Sequence, residues 1–157
     1  MHETLFLLLT GWLLAHPAGS VSAAACPPVT RVETSWKTVV SETGEYELRL
    51  PPTMKPAPPG KYRFIHGGET WEDENIRVSL SFGHWSEKSF EETTGQRCRV
   101  TRDKASVFVI ASKRRVLAWY TIPHGPYEPV VSATSKVDEP EHLAAIALSL
   151  RRRRTAV

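Results

Sequence analysis

Apolar and polar residues alternate most cleanly from Ile76 to Phe82. Ile76, Val78, Leu80 and Phe82 fall on one face, and Arg77, Ser79 and Ser81 on the other, the pattern of a half-buried strand. Glu45–Leu50 alternates in the same way, with Tyr46, Leu48 and Leu50 inward. The stretch Ser106–Pro123 is different. Val107–Ala111 and Val116–Ile122 are apolar runs on either side of Ser112-Lys113-Arg114-Arg115. Both faces of the first run are apolar, so it reads as the first arm of a central hairpin, covered on both sides, with a basic tip.

Shorter strands are predicted at Trp36–Val40, Lys61–His66, Arg97–Val100 and Val130–Ser135. Turns fall at Ser41–Gly44, Gly67-Gly68, Glu72–Asn75, Thr101–Ala105 and His124-Gly125-Pro126. Pro51–Gly60 holds five prolines in ten residues and reads as a surface loop outside any ladder. Ser86–Thr94 reads as one short helix capped by Ser86 and anchored by Phe90. Asp138–Leu150 is the one long helix, with Asp138 and Glu141 as a capping box, Pro140 in the first turn, and Leu143, Ile146, Ala147 and Leu150 facing the sheet. The fold class is therefore α+β: an antiparallel sheet of six or seven strands with a C-terminal amphipathic helix packed on one face.

The N-terminus changes the picture of where the chain folds. Leu5–Ala15 is an apolar run of signal-peptide length, shorter than the ~20 residues a membrane span takes, and it is followed by Pro17 and the small residues Ala23-Ala24-Ala25. Residues 1–25 are read as a signal peptide, although Glu3 replaces the usual basic residue. The remainder divides into an extended lead-in (26–36), one domain (37–150) and a basic disordered tail (151–157). Cys26 at the cut either pairs with Cys98 in an oxidising compartment or carries a lipid; Ala23-Ala24-Ala25-Cys26 resembles a lipobox lacking its usual leucine.

Charge excludes one class of partner. Once Glu3 leaves with the leader, the formal charge rises from +3 to +4, and Arg151, Arg152, Arg153 and Arg154 supply all of it. The body is neutral, so the sequence pI near 9.0 is no sign of a nucleic-acid-binding domain. Within the body, residues 42–92 hold ten acids and six bases, whereas residues 97–115 hold seven bases and Asp103. Cross-strand ion pairs are expected where these regions meet.

Three features carry a resemblance: Tyr46-Glu47-Leu48-Arg49-Leu50-Pro51-Pro52, a strand running into prolines; the Gly67-Gly68…Trp71 turn; and the ending Glu141–Leu150. In these the chain resembles the Mog1/PsbP-like superfamily of small exported proteins. The resemblance implies an α+β sandwich and a role in binding other proteins or envelope components, with no shared catalytic motif and no residue roles to carry over.

No hydrolase elbow, zincin, C-x-x-C, phosphate-binding or dinucleotide motif occurs. His66, His84, His124 and His142 are isolated in sequence, and no metal, cofactor or catalytic residue is assigned. The most suggestive constellation is aromatic. Trp71 and Trp85 flank the strand Ile76–Phe82, with Tyr62 and His84 expected nearby, and together they form the candidate binding group. The four terminal arginines are the candidate membrane or anion contact. The leading reading is an exported (periplasmic or extracellular) non-enzymatic domain that binds a protein or envelope component and meets a membrane only peripherally or through a lipidated Cys26. The alternatives are a small hydrolase with a site built from scattered His and carboxylates, and a structural envelope protein with its tail on the membrane.

Overall fold

The computed structural model describes residues 26–28, 33–90, 93–122 and 127–154. The expected leader and the His124-Gly125-Pro126 break lie outside these residues. Among the described residues ten strands and one α-helix follow one another: β1 (Lys37–Val40), β2 (Tyr46–Leu50), β3 (Lys55–Pro56), β4 (Gly68–Glu72), β5 (Ile76–Gly83), β6 (Gln96–Arg102), β7 (Ala105–Ser112), β8 (Arg115–Thr121), β9 (Glu128–Ser135), α1 (Pro140–Ala147) and β10 (Arg151–Arg152). They form a seven-stranded antiparallel sheet, ordered β3-β4-β5-β9-β8-β7-β6, and a small sheet, ordered β1-β2-β10. The α+β architecture expected from the pattern is the one observed.

β7 and β8 are the central hairpin, and both faces are covered. Val107, Val109, Ala111, Val116, Ala118 and Tyr120 join the main core with the helix and β2. Ile110, Leu117 and Trp119 point the other way and pack with Phe90 and Val130. The topology explains this second layer. The chain must travel from β5 to β6, at the far edge of the sheet, and it crosses the outer face on the way. Among its described residues the crossing carries a 3-10 turn, Glu87–Phe90, where a short helix is expected. Phe90 is its buried anchor, stacked on Trp119 at 5.7 Å.

The helix is shorter than Asp138–Leu150, and the capping box does not form. Asp138 is drawn to the hairpin tip, where the Arg114 Nε donates to it at 2.7 Å. Glu139 occupies the cap position with no side-chain cap, its carboxylate held by the Ser135 hydroxyl. The Glu139 N–H bonds the Lys113 carbonyl, so the basic tip steadies the start of the helix. Past its first turn, where Glu141 is exposed, α1 is buried all round: Leu143, Ala144, Ala145, Ile146 and Ala147 are inaccessible. One side lies over β8 and β9 and the other meets β2, with the Trp36 ring edge-on to His142. The Tyr120 hydroxyl donates to the Ala147 carbonyl at 2.7 Å, and burial pushes its pKa up.

Other expectations are corrected by register. Lys61–His66 forms turns, not a strand: it folds over the outer face of β4, where the Phe64 ring lies against Gly68. The proline loop does join a ladder, through β3 at the sheet edge. Lys55 and Ala57 face the bonding side, as the Ala57 N–H bond to the Thr70 carbonyl shows. Pro56 therefore sits where its missing N–H costs nothing. The β6–β7 turn is tighter than expected, two residues with positive φ, Asp103 and Lys104. The tail is not disordered from Arg151 onward. Arg151 and Arg152 pair with Glu47 and Tyr46, and Ser149, opposite Arg49, fills the next ladder position with its hydroxyl, which accepts from the Arg49 N–H at 2.9 Å. The Arg102 Nε, rather than the tail, donates to the Leu148 carbonyl past the helix end. Strands β4 and β5 of the acid-rich region and β6 and β7 of the base-rich region are not neighbours in the sheet, because β9 and β8 stand between them.

Cys26 and Cys98 form a disulfide across 72 positions. Cys98 lies in the main core and Cys26 packs against it, so the lead-in is fastened to β6 on the helix side. Closing so long a loop stabilises by about 4 kcal/mol in the chain-entropy picture. A Cys26→Ser/Cys98→Ser variant, or the reduced protein, is expected to lose roughly 2–4 kcal/mol in urea unfolding, with the far-ultraviolet spectrum retained.

Candidate functional site

Between the small sheet and the β3–β4 edge of the large one lies a cleft of about 540 Å³. β1 contributes Val39 and Val40, and the turn after it contributes Glu42. The proline loop supplies Pro56 to Gly60, and the segment folded over β4 adds Tyr62 and Phe64. Gly68, Glu69, Thr70 and Trp71 of β4 complete the lining. Its walls mix apolar valine, proline and aromatic side chains with polar surface in about equal measure. Two acidic residues, Glu42 and Glu69, interrupt the apolar part. Glu69 Oε1 accepts the Glu42 N–H at 2.6 Å, bridging the two sheets. Burial is the largest influence on Glu69 and raises its pKa above the usual carboxylate value, with the Glu42 charge adding to it and the hydrogen bond opposing it.

The rim is more strongly charged. The Tyr62 hydroxyl donates to Glu72 at 3.0 Å, and the Arg77 guanidinium lies 5.1 Å from the Tyr62 ring centre. The Lys61 ammonium bonds Glu72, which lowers the Glu72 pKa and raises that of Lys61. This cluster fixes the Tyr62 ring as a wall. At the turn below, Asp73 Oδ1 accepts the Asn75 and Ile76 N–H groups, each at 2.8 Å. Burial alone would raise the Asp73 pKa; these bonds and the Thr53 hydroxyl outweigh it and lower it.

The four aromatic candidates separate into two places. Trp71 and Tyr62 belong to the cleft, Trp71 nearly inaccessible and facing the core opposite Val78. Trp85 lies with the outer-face cluster, 5.6 Å from Phe90, its indole N–H buried without a hydrogen-bond partner. His84 is exposed and sits in a group that single-residue reading missed: its ring lies 5.1 Å from Tyr127, which stacks on His66 at 4.7 Å. No three His, Cys, Asp or Glu side chains converge on one point among the described residues. Of the terminal arginines, Arg151 reaches Asp103 at 3.6 Å and Arg153 reaches the Gly44 carbonyl at 3.3 Å. All four remain exposed. Phe64 and Val40 carry no motif that would single them out, and Glu69 reads in sequence as part of a solvated acidic turn with Glu72, Asp73 and Glu74. The available signal was Glu69 itself, an acid on the same inward face of a strand as Trp71.

With this geometry in view, comparison with known proteins gives a fold and no more. No family model matches the chain, and no curated protein matches its sequence. Among solved structures it is similar to the solution structure of cyanobacterial PsbP (CyanoP) from Synechocystis sp. PCC 6803. The TM-score is 0.52 at 9% identity, over 82% of this chain and 98% of that one. The fold is PsbP-like.

Two outcomes follow. A Cβ on Gly68 would stand 2.6 Å from the Phe64 ring and 2.7 Å from the Leu80 carbonyl. Gly68→Ala is expected to cost about 1–3 kcal/mol and to shift the Phe64 ring resonances in an NMR spectrum. Glu69 holds its proton more tightly folded than unfolded, so its contribution to stability is full below the ordinary Glu value and fades as pH rises through the folded one. Glu69→Gln should therefore raise the thermal midpoint at about pH 7 and leave it unchanged at about pH 3.

Proposed function

We propose that this protein is an exported, disulfide-bonded, non-enzymatic PsbP-like domain that binds a protein or cell-envelope component through the cleft beside β1. The observation that carries the proposal is the cleft's composition. Valine, proline and aromatic side chains stand beside two carboxylates, Glu42 and Glu69, and the Glu69 Oε1 accepts a backbone N–H. Pockets of this size with few convergent polar groups are where ligands and anchor side chains dock. The cleft lining includes no His, Cys or Ser. Its Thr70 hydroxyl is already paired with Ser79 at 2.9 Å, so the lining offers shape and charge and no activated nucleophile. The disulfide fits an oxidising compartment, which supports export.

Photo-crosslinking in the producing cell tests this. A benzophenone side chain at position 40 or 62 is expected to yield a discrete adduct with one envelope component. The same group at the exposed position 115, on the outer face of the large sheet, should yield none. Equal adducts from all three positions, or none from positions 40 and 62, would contradict the proposal.

A further inference from the structure

The cleft opens onto the free edge of a strand. In an antiparallel pair, alternate residues bond the partner strand, and those between turn their N–H and C=O groups the other way. The Ser41 N–H bonds the Tyr46 carbonyl, and the register sets Val39 against Leu48 and Lys37 against Leu50. Thr38 and Val40 therefore turn their backbone groups away from β2. Among the described residues β1 ends its sheet on that side. The cavity touches both Val39 and Val40. Successive side chains of a strand point to opposite faces, so a space that reaches both meets the strand at its edge.

Exposed edges are normally blunted by charge or proline. The other three edges here follow that rule: β3 is Lys-Pro, β10 is Arg-Arg, and β6 carries Arg97, Arg99 and Arg102. The Thr38-Val39-Val40 edge has neither, and the one charge on β1, Lys37, is turned to the Met54 carbonyl. Across the cleft stands Glu69, with Glu42 at the strand's end. An unprotected edge facing carboxylates beside valine, proline and aromatic side chains suits one kind of occupant.

We propose that β1 accepts an extended segment of a partner protein as an added antiparallel or parallel strand, with Lys or Arg side chains of that segment meeting Glu69 and Glu42. This rests on the cleft being the binding site, and it adds the mode of binding and the chemistry of the partner. Main-chain bonds to Thr38 and Val40 give affinity in such a mode, and alternate side chains give specificity.

The probe is a labelled peptide of about ten residues alternating Val and Lys, titrated into the oxidised protein by fluorescence anisotropy. It is expected to bind, with the Val/Glu counterpart about tenfold weaker or worse. Methylating alternate backbone nitrogens of the peptide, in one of the two possible phases, should weaken binding about tenfold. Val40→Pro deletes a backbone N–H that β2 does not use, and it should have the same effect. Glu69→Gln should weaken binding severalfold and flatten its salt dependence. Failure of the Val/Lys peptide to bind overturns the inference, as does equal affinity of both N-methylated phases. If Val40→Pro unfolds, the methylated peptides still decide, since they use the unaltered protein. Discrete adducts from positions 40 and 62 without peptide binding would sink strand addition and leave the cleft as the site. Peptide binding without those adducts would do the reverse.

Discussion

Helix α1 is what both sheets are built upon. Its Leu143 and Ile146 are fully buried, and so are the alanines between and after them. A helix that is buried all round past its first turn must be covered from two sides. The seven-stranded sheet covers one side and β2 with Trp36 covers the other. Because Ala144, Ala145 and Ala147 are small, both layers can approach closely. The Tyr120 hydroxyl, donating to the Ala147 carbonyl, and the Ser149 hydroxyl, donating to the Ile146 carbonyl at 2.7 Å, then satisfy backbone groups that the short helix leaves open at its end.

The cleft follows from this arrangement. α1 lies over β8 and β9, toward the middle of the large sheet, and holds the small sheet away from it. At the β3–β4 end the gap is closed by Tyr46 against Phe82, 5.5 Å apart, and by the Glu42–Glu69 bridge. What remains between them is lined by whatever the two edges present: valines from β1, prolines and aromatics from the loop, and one carboxylate from β4. The cleft is a by-product of a helix thicker than the side chains available to fill the space beside it.

Much of the fold was legible because the patterning was strong. Ile76–Phe82 and Glu45–Leu50 alternate in sequence and alternate in burial. The two-sided apolar run Val107–Ala111 correctly implied a covered outer face, although nothing local indicated that the β5–β6 crossing would supply the cover. Local rules failed where a distant partner competed. Asp138 is a good cap by sequence, but Arg114 binds it. Arg151 and Arg152 look like a solvated tail, but β2 has an open edge for them. Lys61–His66 has strand composition, yet Gly67, at a φ of 87°, and the bare surface of Gly68 let the segment fold back. The aromatic site was half legible. Trp71 and Tyr62 share the cleft, whereas Trp85 and His84, adjacent in sequence to the end of β5, belong to the other face and the far end. Glu69 reads as one of a solvated acidic group with Glu72, Asp73 and Glu74; only its burial in the fold sets it apart.

Amide hydrogen exchange on the oxidised protein bears most directly on the central claim, that a helix enclosed by two sheets leaves the far edge of β1 open. The amides of α1 and β2 are expected to exchange only through global unfolding, and so at one common, slowest rate. Within β1, Val39 should share that protection, while Thr38 and Val40 exchange far faster. Protection of Thr38 and Val40 equal to that of Val39, or fast exchange along α1, would contradict the account.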